Sequence, residues 1–334
     1  MVKESTQLNE YKKLKKPFLV LSNTMNNKIF VMIPAYNEEK NIAKVIDEIK
    51  GTSKEYKILV IDDGSKDNTF EIAKNFKVNV IKNKKNLGLA QSFKKGLEEC
   101  LKLKADIIVN IDADFQYNSR EIPKLIQPIL DNKADIVLTD RQVLNLNHMP
   151  FSKRYGNTIS TLVTRFVSGY PVRDAQSGFR AFSRESALRL NILSDYTYVQ
   201  ETIIQAVDKK LRIVQIPCEF RKREGKSRLI PNLFSYAKKA GLTIIKSFVQ
   251  YKPLKALLTI SLFPIILGIL LGLRFLYFFY LGDKGHVQSL ILAAVLLIIG
   301  FQIIVLAFIA DTIGANRKVN EETLYLQKKR EFSK

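Results

Sequence analysis

The sequence predicts an α/β protein with a doubly wound, mostly parallel sheet, followed by an interfacial helix and two transmembrane helices. Three observations lead to this prediction. Short apolar runs alternate with amphipathic stretches through the first part of the chain, a pattern that is typical of strands and helices alternating around a parallel sheet. Several of these runs end in acidic or polar motifs. Two long apolar segments close the chain of 334 residues.

The alternation can be followed element by element. The predicted strands are short apolar runs: Ile29–Ile33, Ile58–Ile61, Val78–Ile81, Ala105–Ile111, Ala134–Leu138 and Leu211–Cys218. The predicted helices have apolar residues at helical spacing: Asn41–Ile49, Asn68–Asn75, Ala90–Leu103, Pro123–Leu130, Lys153–Ser168 and Glu201–Lys209. In sheets of this kind, ligands bind at the carboxyl ends of the strands. The polar residues that follow the strands are therefore the candidates for function.

The two closing segments, Ala256–Leu281 and Ser289–Ala310, are each long enough to cross a bilayer core of about 30 Å. The first holds one charge, Arg274, which we expect to extend towards an aromatic belt at the end of that segment. The short connection Gly282–Gln288 makes the pair a hairpin, and a buried hairpin of a soluble protein is the alternative. Lys and Arg residues flank both ends, so the positive-inside rule places the large domain and both termini in the cytoplasm.

The composition favours anionic partners. The chain carries a net charge of +21 and has a pI of about 9.7, which suits nucleic acid, acidic lipids or phosphorylated substrates. The two cysteines, Cys100 and Cys218, lack the spacing of a disulfide framework or a zinc site. The first residues, Met1–Lys16, are polar and lysine-rich and do not resemble a signal peptide.

These patterns divide the chain into five predicted parts. A flexible basic arm covers 1–26, and the α/β domain covers 27–230. An amphipathic helix over 231–254 suits the membrane interface, with an ordinary surface helix as the alternative. The hairpin covers 255–311 and a basic cytoplasmic tail covers 312–334. The hairpin also offers a surface for self-association, so we expect a homo-oligomer formed through the membrane helices.

A pair of carboxylates follows the apolar run Ile107–Ile111. Asp112 and Asp114 are separated by one residue, and Gln116 lies two positions further on. Two carboxylates just past a strand can hold a hard divalent cation, Mg²⁺ or Mn²⁺, together with diphosphate oxygens. Gln116 would add a neutral oxygen ligand or a hydrogen bond. A lone Asp-x-Asp is more often an exposed loop, but the position at a strand end favours a metal site.

Two further polar motifs end predicted strands. Asp62 and Asp63 follow the second strand, and Pro34, Tyr36 and Glu38 follow the first. The acidic pair can accept hydrogen bonds from ribose hydroxyls or a base imino group, while Tyr36 can pack on a base and Glu38 can read its edge. The alternative for the acidic pair is a strand-to-helix turn, and both interpretations can hold together.

Together, Met32–Glu39, Val60–Thr69 and Asn110–Gln116 resemble the family-2 glycosyltransferases of the GT-A fold. Asn86-Leu87-Gly88 also matches a loop that this family carries before its third helix. The resemblance implies a nucleotide bound by Pro34, Tyr36, Glu38, Asp62, Asp63, Asp112 and Ala113. It also implies a Mg²⁺ or Mn²⁺ ion held by Asp112, Asp114 and Gln116.

Two later motifs narrow the resemblance. Val172–Arg180 and Arg223–Arg228 look like signatures of the polyprenyl-phosphate sugar synthases, such as the dolichyl-phosphate mannose and glucose synthases. The resemblance covers roughly Ile29–Ile230, and the closing hairpin matches the members with two membrane helices. It implies inverting transfer of a hexose from a UDP- or GDP-sugar to polyprenyl or dolichyl phosphate, giving a lipid-linked monosaccharide. The chain has no Trp, whereas processive polymerases of the family usually carry Gln-x-x-Arg-Trp.

The predicted acceptor sets the chemistry that the remaining residues must supply. A phosphate monoester has a second pKa of about 6 and is largely ionised at neutral pH, so it needs a cationic cradle more than a general base. Arg141 and Arg154 are the candidates for the lipid phosphate. The further predicted ligands of the acceptor and the diphosphate are Thr158, Ser177, Arg223, Lys226 and Arg228, of which the last three would close over the diphosphates.

Asp174 is the carboxylate that we expect closest to the reacting centre. It would orient the sugar, assist the acceptor or pair with Arg180, and we favour orientation or pairing because an ionised phosphate scarcely needs a base. With Asp114 and Arg141, it completes the predicted catalytic set. The identity of the sugar, the choice between UDP and GDP, and the polyprenol are left open by these motifs.

Other functions fit parts of the sequence. A nucleic-acid-binding membrane protein would account for the charge, but the basic cluster Arg221–Arg228 has no interleaved aromatic residue, so we expect no nucleic-acid partner. A P-loop hydrolase fails because Phe220 stands where Gly225-Lys226-Ser227 needs a glycine. A dinucleotide dehydrogenase fails because no Gly-x-Gly-x-x-Gly follows the first strand. A degenerate scaffold, or a transferase to another membrane lipid, would keep the same fold.

Overall fold

A single seven-stranded sheet organises the first part of the chain. The computed structural model describes residues 27–146, 149–194, 197–222, 253–282 and 285–333. The strands are β1 (Ile29–Ala35), β2 (Lys57–Asp62), β3 (Asn79–Lys82), β4 (Ile107–Asn110), β5 (Ile136–Asp140), β6 (Arg180–Ser183) and β7 (Ile213–Pro217). Their order across the sheet is β3-β2-β1-β4-β6-β5-β7. The predicted arm, 1–26, and the predicted interfacial helix up to residue 252 lie outside the described residues.

Helices connect the strands and close the chain. They are α1 (Ile42–Thr52), α2 (Thr69–Asn75), α3 (Leu89–Lys102), α4 (Ile122–Leu130), α5 (Phe151–Ser168), α6 (Arg184–Arg189), α7 (Val199–Asp208), α8 (Pro253–Tyr280) and α9 (Val287–Ser333). Short 3-10 turns occupy Ser119–Glu121 and Val143–Asn145. Each strand and helix that the sequence predicts in the α/β domain is present, with its ends shifted by a few residues.

The prediction of a mostly parallel sheet is confirmed. β1 pairs in parallel with β2 and β4, β2 pairs in parallel with β3, and β5 pairs in parallel with β7. The exception is β6, which runs antiparallel between β4 and β5. The sequence pattern does not predict β6 because its four residues, Arg-Ala-Phe-Ser, are too few and too polar to form an apolar run.

Alternate residues of the central strands pack into two cores, one on each face of the sheet. Phe30 and Met32 pack against side chains of α3, α6 and α7, whereas Val31 and Ile33 pack against α1 and α4. All four are at most 2% exposed. Burial of both faces is typical of a doubly wound parallel sheet, and it holds the strand ends in fixed positions.

The carboxyl ends of four strands lie at one edge of the sheet. β1, β2 and β4 are parallel neighbours, and β5 runs in the same direction because β6 is antiparallel to both β4 and β5. The last residues of these strands, Ala35, Asp62, Asn110 and Asp140, therefore meet at the same edge. The predicted polar motifs follow directly and share it.

The last two helices form the predicted hairpin. Gly268 and Gly300 lie in close contact with side chains of the facing helix. The guanidinium of Arg274 lies 5.4 Å from the ring centre of Phe278 in the same helix. Both helices are long and apolar enough to cross a membrane, and only 22% and 17% of their most apolar stretches are buried within the protein. Apolar helices with so little burial indicate a membrane-anchored protein.

The predicted boundary between the hairpin and the basic tail falls inside α9, which continues without a break to Ser333. The end of α9 packs on the α/β domain. Tyr325 is 6% exposed and its hydroxyl donates to Glu185 Oε1 at 2.9 Å, while Arg184 Nη2 donates to the carbonyl oxygen of Phe332 at 2.7 Å. The tail is therefore a helical strut that joins the second candidate span to the α/β domain.

Candidate active site

The loops that follow β1 and β2 are tied to each other. The N–H of Asn37 donates to Ser65 Oγ at 2.9 Å, and the N–H of Lys66 donates to Asn37 Oδ1 at 2.8 Å. The N–H of Glu38 donates to Thr69 Oγ1 at 2.8 Å. Asn37 adopts a left-handed φ of 54°, which asparagine tolerates better than most residues. Two motifs that are distant in the sequence therefore form one unit.

Asp63 anchors the loop that precedes α3. Its Oδ1 accepts hydrogen bonds from Asn83 Nδ2 at 2.8 Å and from the N–H of Leu87 at 2.9 Å, and its Oδ2 accepts one from the N–H of Gly88 at 2.9 Å. Gly64 approaches this loop so closely that a Cβ there would lie 2.7 Å from a backbone carbon. Asp63 is 4% exposed. The structure therefore places this predicted nucleotide ligand behind the site, where it holds a turn.

Asp62 has a different environment from its neighbour. It is fully buried, and its Oδ1 accepts a hydrogen bond from the N–H of Ser65 at 3.2 Å. Its Oδ2 has no hydrogen-bond partner among the described residues. A buried carboxylate oxygen without a donor costs free energy. A ligand that brings an N–H or O–H group to Asp62 is therefore favoured, whereas both oxygens of Asp63 already have donors.

The other predicted nucleotide residues lie next to Asp62. Ala35 is its partner in the β1–β2 register, so Pro34 and Tyr36 stand on either side of that pairing. Pro34 is buried within β1, and Tyr36 is half-buried. Glu38 is 9% exposed, and its Oε2 accepts a hydrogen bond from Asn41 Nδ2 at 2.9 Å. The structure therefore brings these residues together as the sequence predicts.

The predicted metal motif directly follows β4. Asp112 and Asp114 are half-buried, and Ala113 between them is buried. The N–H of Gln116 donates to Asp114 Oδ1 at 3.3 Å, and its Nε2 donates to the carbonyl oxygen of Arg221 at 3.2 Å. Gln116 therefore links the metal motif to the chain segment that leads into the predicted basic loop.

Gly178 lies against the carboxylate of Asp112. A Cβ at this position would stand 2.8 Å from both carboxylate oxygens, closer than real side chains approach. The glycine is itself held in place, because its N–H donates to the Tyr117 hydroxyl at 3.1 Å and its carbonyl oxygen accepts from Asn110 Nδ2 at 2.8 Å. Sequence reasoning missed this support, although the glycine inside the Val172–Arg180 motif was a visible signal.

The donor atoms of the motif fit a divalent cation. The described residues contain no group of three or more His, Cys, Asp or Glu side chains that could hold a metal ion by themselves. Asp112, Asp114 and Gln116 offer carboxylate and amide oxygens, which hard cations such as Mg²⁺ and Mn²⁺ accept as ligands. A site of this kind needs further oxygens from phosphate groups or water. The motif therefore suits a cation that is bound together with a diphosphate.

A buried ion pair lies beyond the metal motif. Arg141 Nε and Nη2 donate to the two carboxylate oxygens of Asp174 at 2.7 and 3.0 Å, and the N–H of Arg141 donates to Asp174 Oδ2 at 3.2 Å. The N–H of Gln176 donates to Asp174 Oδ1 at 3.0 Å. Burial alone would raise the pKa of Asp174, but the guanidinium and these hydrogen bonds hold it below its usual range. Two of the three predicted catalytic residues, Arg141 and Asp174, are thus paired with each other.

The pairing of Asp174 with Arg180, one of the roles considered above, is wrong. Arg180 is fully buried in β6, and its guanidinium donates to neutral groups: the carbonyl oxygens of Ala175, Ser177 and Val199, and the hydroxyl of Thr202. Burial lowers the pKa of Arg180 to about 10. This arginine therefore stabilises the loop around Asp174 from behind.

Ser177 is buried as well. Its hydroxyl is within hydrogen-bond distance of Thr139 Oγ1 at 2.5 Å and of the Tyr117 hydroxyl at 3.2 Å, and it is fully shielded from solvent. Burial raises the pKa of Tyr117, so this hydroxyl stays protonated. The structure therefore places the predicted acceptor or diphosphate ligand between β5 and the metal motif, as a support.

A cavity of about 360 Å³ opens between the 3-10 turn after β5 and one face of α5. Asp174 and Thr158, two residues of the predicted site, both line this cavity. Its other polar lining residues are Asp140, Gln142, Asn145, Asn157, Thr161, Arg165 and Arg173. A cavity large enough for a phosphate group and part of its substituent therefore lies beside the Arg141–Asp174 pair, where the sequence predicts the acceptor site.

The cations of this cavity differ from those predicted. Arg154 does not line it, and its Nε donates to the carbonyl oxygen of Met149 at 2.8 Å. Arg165 and Arg173 line it instead. Helical spacing was a signal for the first, since Arg165 lies seven residues after Thr158 on the same face of α5. The second stands directly before Asp174 in its motif.

The predicted cations Arg223, Lys226 and Arg228 lie outside the described residues. The segment that leads to them is described and is attached to the metal motif. The N–H of Arg221 donates to the carbonyl oxygen of Gln116 at 2.7 Å, and its Nη2 donates to Glu48 Oε1 at 2.9 Å. The basic segment therefore begins beside the predicted metal site.

Known proteins are similar to this chain in sequence and in fold. The family model described as glycosyl transferase family 2 matches residues 30–190. The UDP-N-acetylglucosamine–dolichyl-phosphate N-acetylglucosaminyltransferase of Methanococcus voltae is 36% identical over 214 residues, which are 57% of this chain and 84% of that protein. The chain belongs to glycosyl transferase family 2.

A further relative and a solved structure are also similar to this chain. The dolichol-phosphate mannosyltransferase of Pyrococcus furiosus is 30% identical over 215 residues, 60% of this chain and 59% of that protein. Among solved structures, the glucosyl-3-phosphoglycerate synthase of Mycobacterium tuberculosis superimposes with a TM-score of 0.56 at 20% identity, covering 70% of this chain and 86% of that chain. The latter likeness shows the fold, and it confirms the GT-A architecture that the motifs predict.

The site of this glycosyltransferase has two sides. We name the ends of β1, β2 and β4, with Asp62, Asp112 and Asp114, the donor side. We name the Arg141–Asp174 pair and the cavity beside α5 the acceptor side. The donor side presents carboxylates and, within the described part of the chain, a buried oxygen without a partner, whereas the acceptor side presents exposed arginines beside an ion pair that is already complete.

Proposed function

We propose that this glycosyltransferase moves a hexose from a nucleotide-sugar to polyprenyl phosphate at the membrane surface. The observation that carries the proposal is the acceptor-side cavity, in which Arg165 and Arg173 stand beside the Arg141–Asp174 pair. Since Asp174 is neutralised by Arg141, the two exposed arginines keep their charge for a phosphate group. The relatives named for dolichyl phosphate support the same acceptor.

The reaction that follows is a single displacement. A phosphate oxygen of the acceptor attacks the anomeric carbon, the bond from that carbon to the donor diphosphate breaks, and the nucleoside diphosphate leaves. The ionised phosphate needs no proton removed, so no general base is required. We propose inversion at the anomeric carbon, because one displacement at a saturated centre reverses its configuration.

On the donor side, we assign the nucleotide to Pro34, Tyr36, Glu38 and Asp62. Asp112, Asp114 and Gln116 would hold Mg²⁺ or Mn²⁺, which when bound would neutralise the charge on the leaving diphosphate. Mn²⁺ accompanies UDP-glucose in the synthase of Mycobacterium tuberculosis, and the donor atoms of this chain suit the same class of ion. Gly178 would keep the carboxylate of Asp112 aimed at the ion.

On the acceptor side, we assign a positioning role to Asp174. Its bidentate contact fixes the guanidinium of Arg141, which also lies 5.1 Å from the ring centre of Phe220. Thr158, Arg165 and Arg173 would contact the phosphate. The predicted cations Arg223, Lys226 and Arg228 would close over the diphosphates from the segment that starts at Arg221.

The membrane supplies the acceptor in this scheme. We propose that α8 and the first part of α9 cross the bilayer and that the α/β domain and both termini face the cytoplasm, since Lys and Arg residues flank both ends of the hairpin. The strut formed by the end of α9 would then hold the α/β domain near the membrane. Self-association through the hairpin belongs to the same proposal.

The test is transfer of labelled sugar in detergent micelles by the full chain. UDP- and GDP-linked glucose, mannose and N-acetylglucosamine are each offered with polyprenyl phosphate or with diacylglycerol, in Mn²⁺, in Mg²⁺ or in EDTA. We expect one donor to give a metal-dependent lipid-linked monosaccharide with polyprenyl phosphate alone. The two relatives are named for different sugars, so the panel also identifies the donor.

Each outcome of the panel has a distinct meaning. Transfer to diacylglycerol in place of polyprenyl phosphate would overturn the acceptor assignment, and unchanged transfer in EDTA would overturn the metal assignment. Absence of transfer from every donor, with a folded chain and metal present, would contradict the proposal. For variants in which a carboxylate of the site is replaced, Asp131→Asn is the matched control, because Asp131 pairs with Lys133 on the surface after α4.

A further inference from the structure

Helix α5 exposes an apolar face to its surroundings. Phe151 is 80% exposed, Tyr155 61%, Ile159 45%, Leu162 53% and Phe166 63%. Successive members of this set are separated by four, four, three and four residues, which keeps them on one side of a helix at 100° per residue. The aromatic and aliphatic side chains of α5 are therefore concentrated on its outer face.

The inner face of α5 is the polar one. Ser160, Thr161 and Thr164 are buried against the α/β domain, and the hydroxyl of Thr161 accepts a hydrogen bond from the N–H of Ala175 at 3.2 Å. A surface helix of a soluble protein normally has the reverse arrangement, with its apolar face inward. A contiguous apolar face of this size marks a site of interaction with another apolar phase.

The position and charge of α5 indicate which phase this is. Lys255, the third residue of α8, has its ammonium group 5.9 Å from the ring centre of Phe166. The apolar face therefore ends where the first candidate membrane span begins. Within α5, Lys153, Arg154 and Arg165 are the charged residues, and all are cationic. Apolar side chains combined with cations alone suit the interface of a bilayer with anionic headgroups.

We infer that α5 lies in the plane of the membrane interface with this apolar face in the lipid. The adjoining flank of the same helix, with Thr158, Thr161 and Arg165, lines the acceptor-side cavity, and Leu162 of the apolar face lines it too. The lipid and the cavity therefore meet along one helix. Resting on the function proposed above, this places the cavity at headgroup depth, where a polyprenyl phosphate keeps its hydrocarbon chain in the bilayer while its phosphate reaches the arginines.

The chain has no Trp, so a single introduced Trp reports on its own surroundings. Tyr155→Trp and Phe166→Trp replace one exposed aromatic residue by another on the apolar face. Phe308→Trp, 60% exposed on the second candidate span, serves as the positive control. Each full-length variant is reconstituted in bilayers of phosphatidylcholine with brominated acyl chains and, separately, in the unbrominated lipid.

Leu103→Trp is the matched negative control. Leu103 is 38% exposed directly after α3. Arg184 binds the carbonyl oxygens of both Leu101 and Phe332, which places this region beside the end of α9. That end lies about 30 Å beyond the predicted end of the membrane span at 1.5 Å per residue. Bromine in the bilayer would not reach a side chain there.

We expect the brominated lipid to reduce the emission of Trp at 155 and 166 as strongly as at 308, and to leave Trp at 103 unchanged. If the brominated lipid leaves the emission of Trp at 155 and 166 as unchanged as that of Trp at 103, the inference is overturned. Emission that is blue-shifted in detergent and unquenched by bromine would also overturn it, because the face would then be covered by protein, either residues 223–252 or a second copy of the chain.

The readout is independent of catalysis. Quenching at both positions in a chain that transfers no sugar to polyprenyl phosphate would contradict the proposed function and leave the lipid contact of α5 in place. Transfer without quenching would contradict the lipid contact alone. Far-UV circular dichroism of each variant confirms that the introduced Trp leaves the fold intact.

Discussion

The two sides of the site use acidic residues in opposite ways. On the donor side, Asp62 Oδ2 is buried without a hydrogen-bond partner among the described residues, and Asp112 and Asp114 are half-buried at the end of β4. On the acceptor side, Asp174 is equally buried but receives four hydrogen bonds, three of them from Arg141. The Oδ2 atom of Asp62 is unsatisfied until a ligand binds, whereas the carboxylate of Asp174 is satisfied within the protein.

This difference teaches how to separate a binding carboxylate from a structural one. A group that is satisfied in the free protein stabilises the fold, and its loss leaves a buried partner uncompensated. A group that is left unsatisfied contributes nothing to stability and gains its partner from the ligand. The same mutation, Asp to Asn, should therefore affect stability on the acceptor side and binding or rate on the donor side.

The largest effect on stability is expected for Asp174→Asn. The change leaves the guanidinium of Arg141, 8% exposed, without its counter-charge, and breaking a buried ion pair in this way costs about 3–5 kcal/mol. Chemical denaturation in detergent, followed by circular dichroism, measures the loss. Asp131→Asn, which breaks the exposed pair with Lys133, should change stability little. A loss for Asp174→Asn as small as that of the control would contradict the structural role.

Acidification tests the same ion pair in the wild-type chain, with a variant that lacks both charges as the reference. The folded-state pKa of Asp174 lies below its usual value of 3.8 because Arg141 and the hydrogen bonds outweigh burial. A depressed carboxyl pKa stabilises the fold above the unfolded pKa, and this contribution is lost as the pH falls through the folded pKa. Below about pH 4, the wild type should therefore lose stability more steeply than an Arg141→Met, Asp174→Leu double variant. If the free energy of unfolding falls with pH equally steeply in both chains, the lowered pKa of Asp174 is contradicted.

On the donor side, Asp114→Asn should reduce transfer about 10²–10³-fold, in line with the loss of a group that stabilises developing charge. The variant should unfold at a denaturant concentration close to that of the wild type, because Asp114 is half-buried in a loop, where loss of a charge costs less than in the buried Arg141–Asp174 pair. Initial rates are measured against Mn²⁺ concentration, with Asp131→Asn as the control. Wild-type rates at saturating Mn²⁺ would remove Asp114 from the metal site.

The donor side could be predicted from the sequence because its information is local. Asp62 directly ends a strand, and Asp112 and Asp114 directly follow another, so an apolar run and the polar residues after it suffice to place them. The parallel order of β1, β2 and β4 then brings the motifs to one edge. Asp63 shows the limit of this reasoning, since an identical neighbour in the sequence turns inward to hold the loop before α3.

The acceptor side depends on contacts that the sequence does not announce. Arg141 and Arg180 carry the same charge, and only the antiparallel insertion of β6 decides that Arg180 is buried among carbonyl groups while Arg141 meets Asp174. The cavity needs α5 and the turn after β5 to face each other, so Arg165 could be found only as part of a helical face. The strut of α9 was hidden because its charged residues look like a solvated tail.

A smaller effect is expected for Asp62→Asn, and it should appear in binding alone. Asparagine keeps an oxygen that can accept from the N–H of Ser65 but removes the charge that attracts a donor of the ligand. A hydrogen bond to a charged group is worth about 1.5–3 kcal/mol, so the affinity for the nucleoside diphosphate should fall about 10–100-fold. Isothermal titration with UDP and GDP measures the loss.

The stability of this variant sharpens the comparison with Asp174. Removal of the charge from Asp62, whose Oδ2 is buried without a partner among the described residues, should leave the free energy of unfolding unchanged or raise it. If Asp62→Asn destabilises the chain as strongly as Asp174→Asn does, then Asp62 is structural and the contrast between the two sides fails.

The smallest effect is expected for Gly178→Ala, which disturbs a donor-side carboxylate without touching its charge. The new Cβ would stand 2.8 Å from both oxygens of Asp112, and the carboxylate must move because Tyr117 and Asn110 hold the glycine backbone. Overpacking of this kind typically costs about 1–3 kcal/mol. We expect transfer to fall about tenfold, with a higher Mn²⁺ concentration needed for half-maximal rate and an unchanged KM for polyprenyl phosphate.

Gly51→Ala is the matched control, because nothing lies within 4 Å of a Cβ built at Gly51 in α1, and alanine is the better helix former. It should keep wild-type transfer and Mn²⁺ dependence. The Mn²⁺ curve decides between two meanings of a slow Gly178→Ala variant. A shifted curve means that the glycine keeps Asp112 aimed at the cation. An unshifted curve with a raised KM for the acceptor means that the glycine serves the acceptor side through its neighbours Ser177 and Arg180, and that the two sides are coupled through β6.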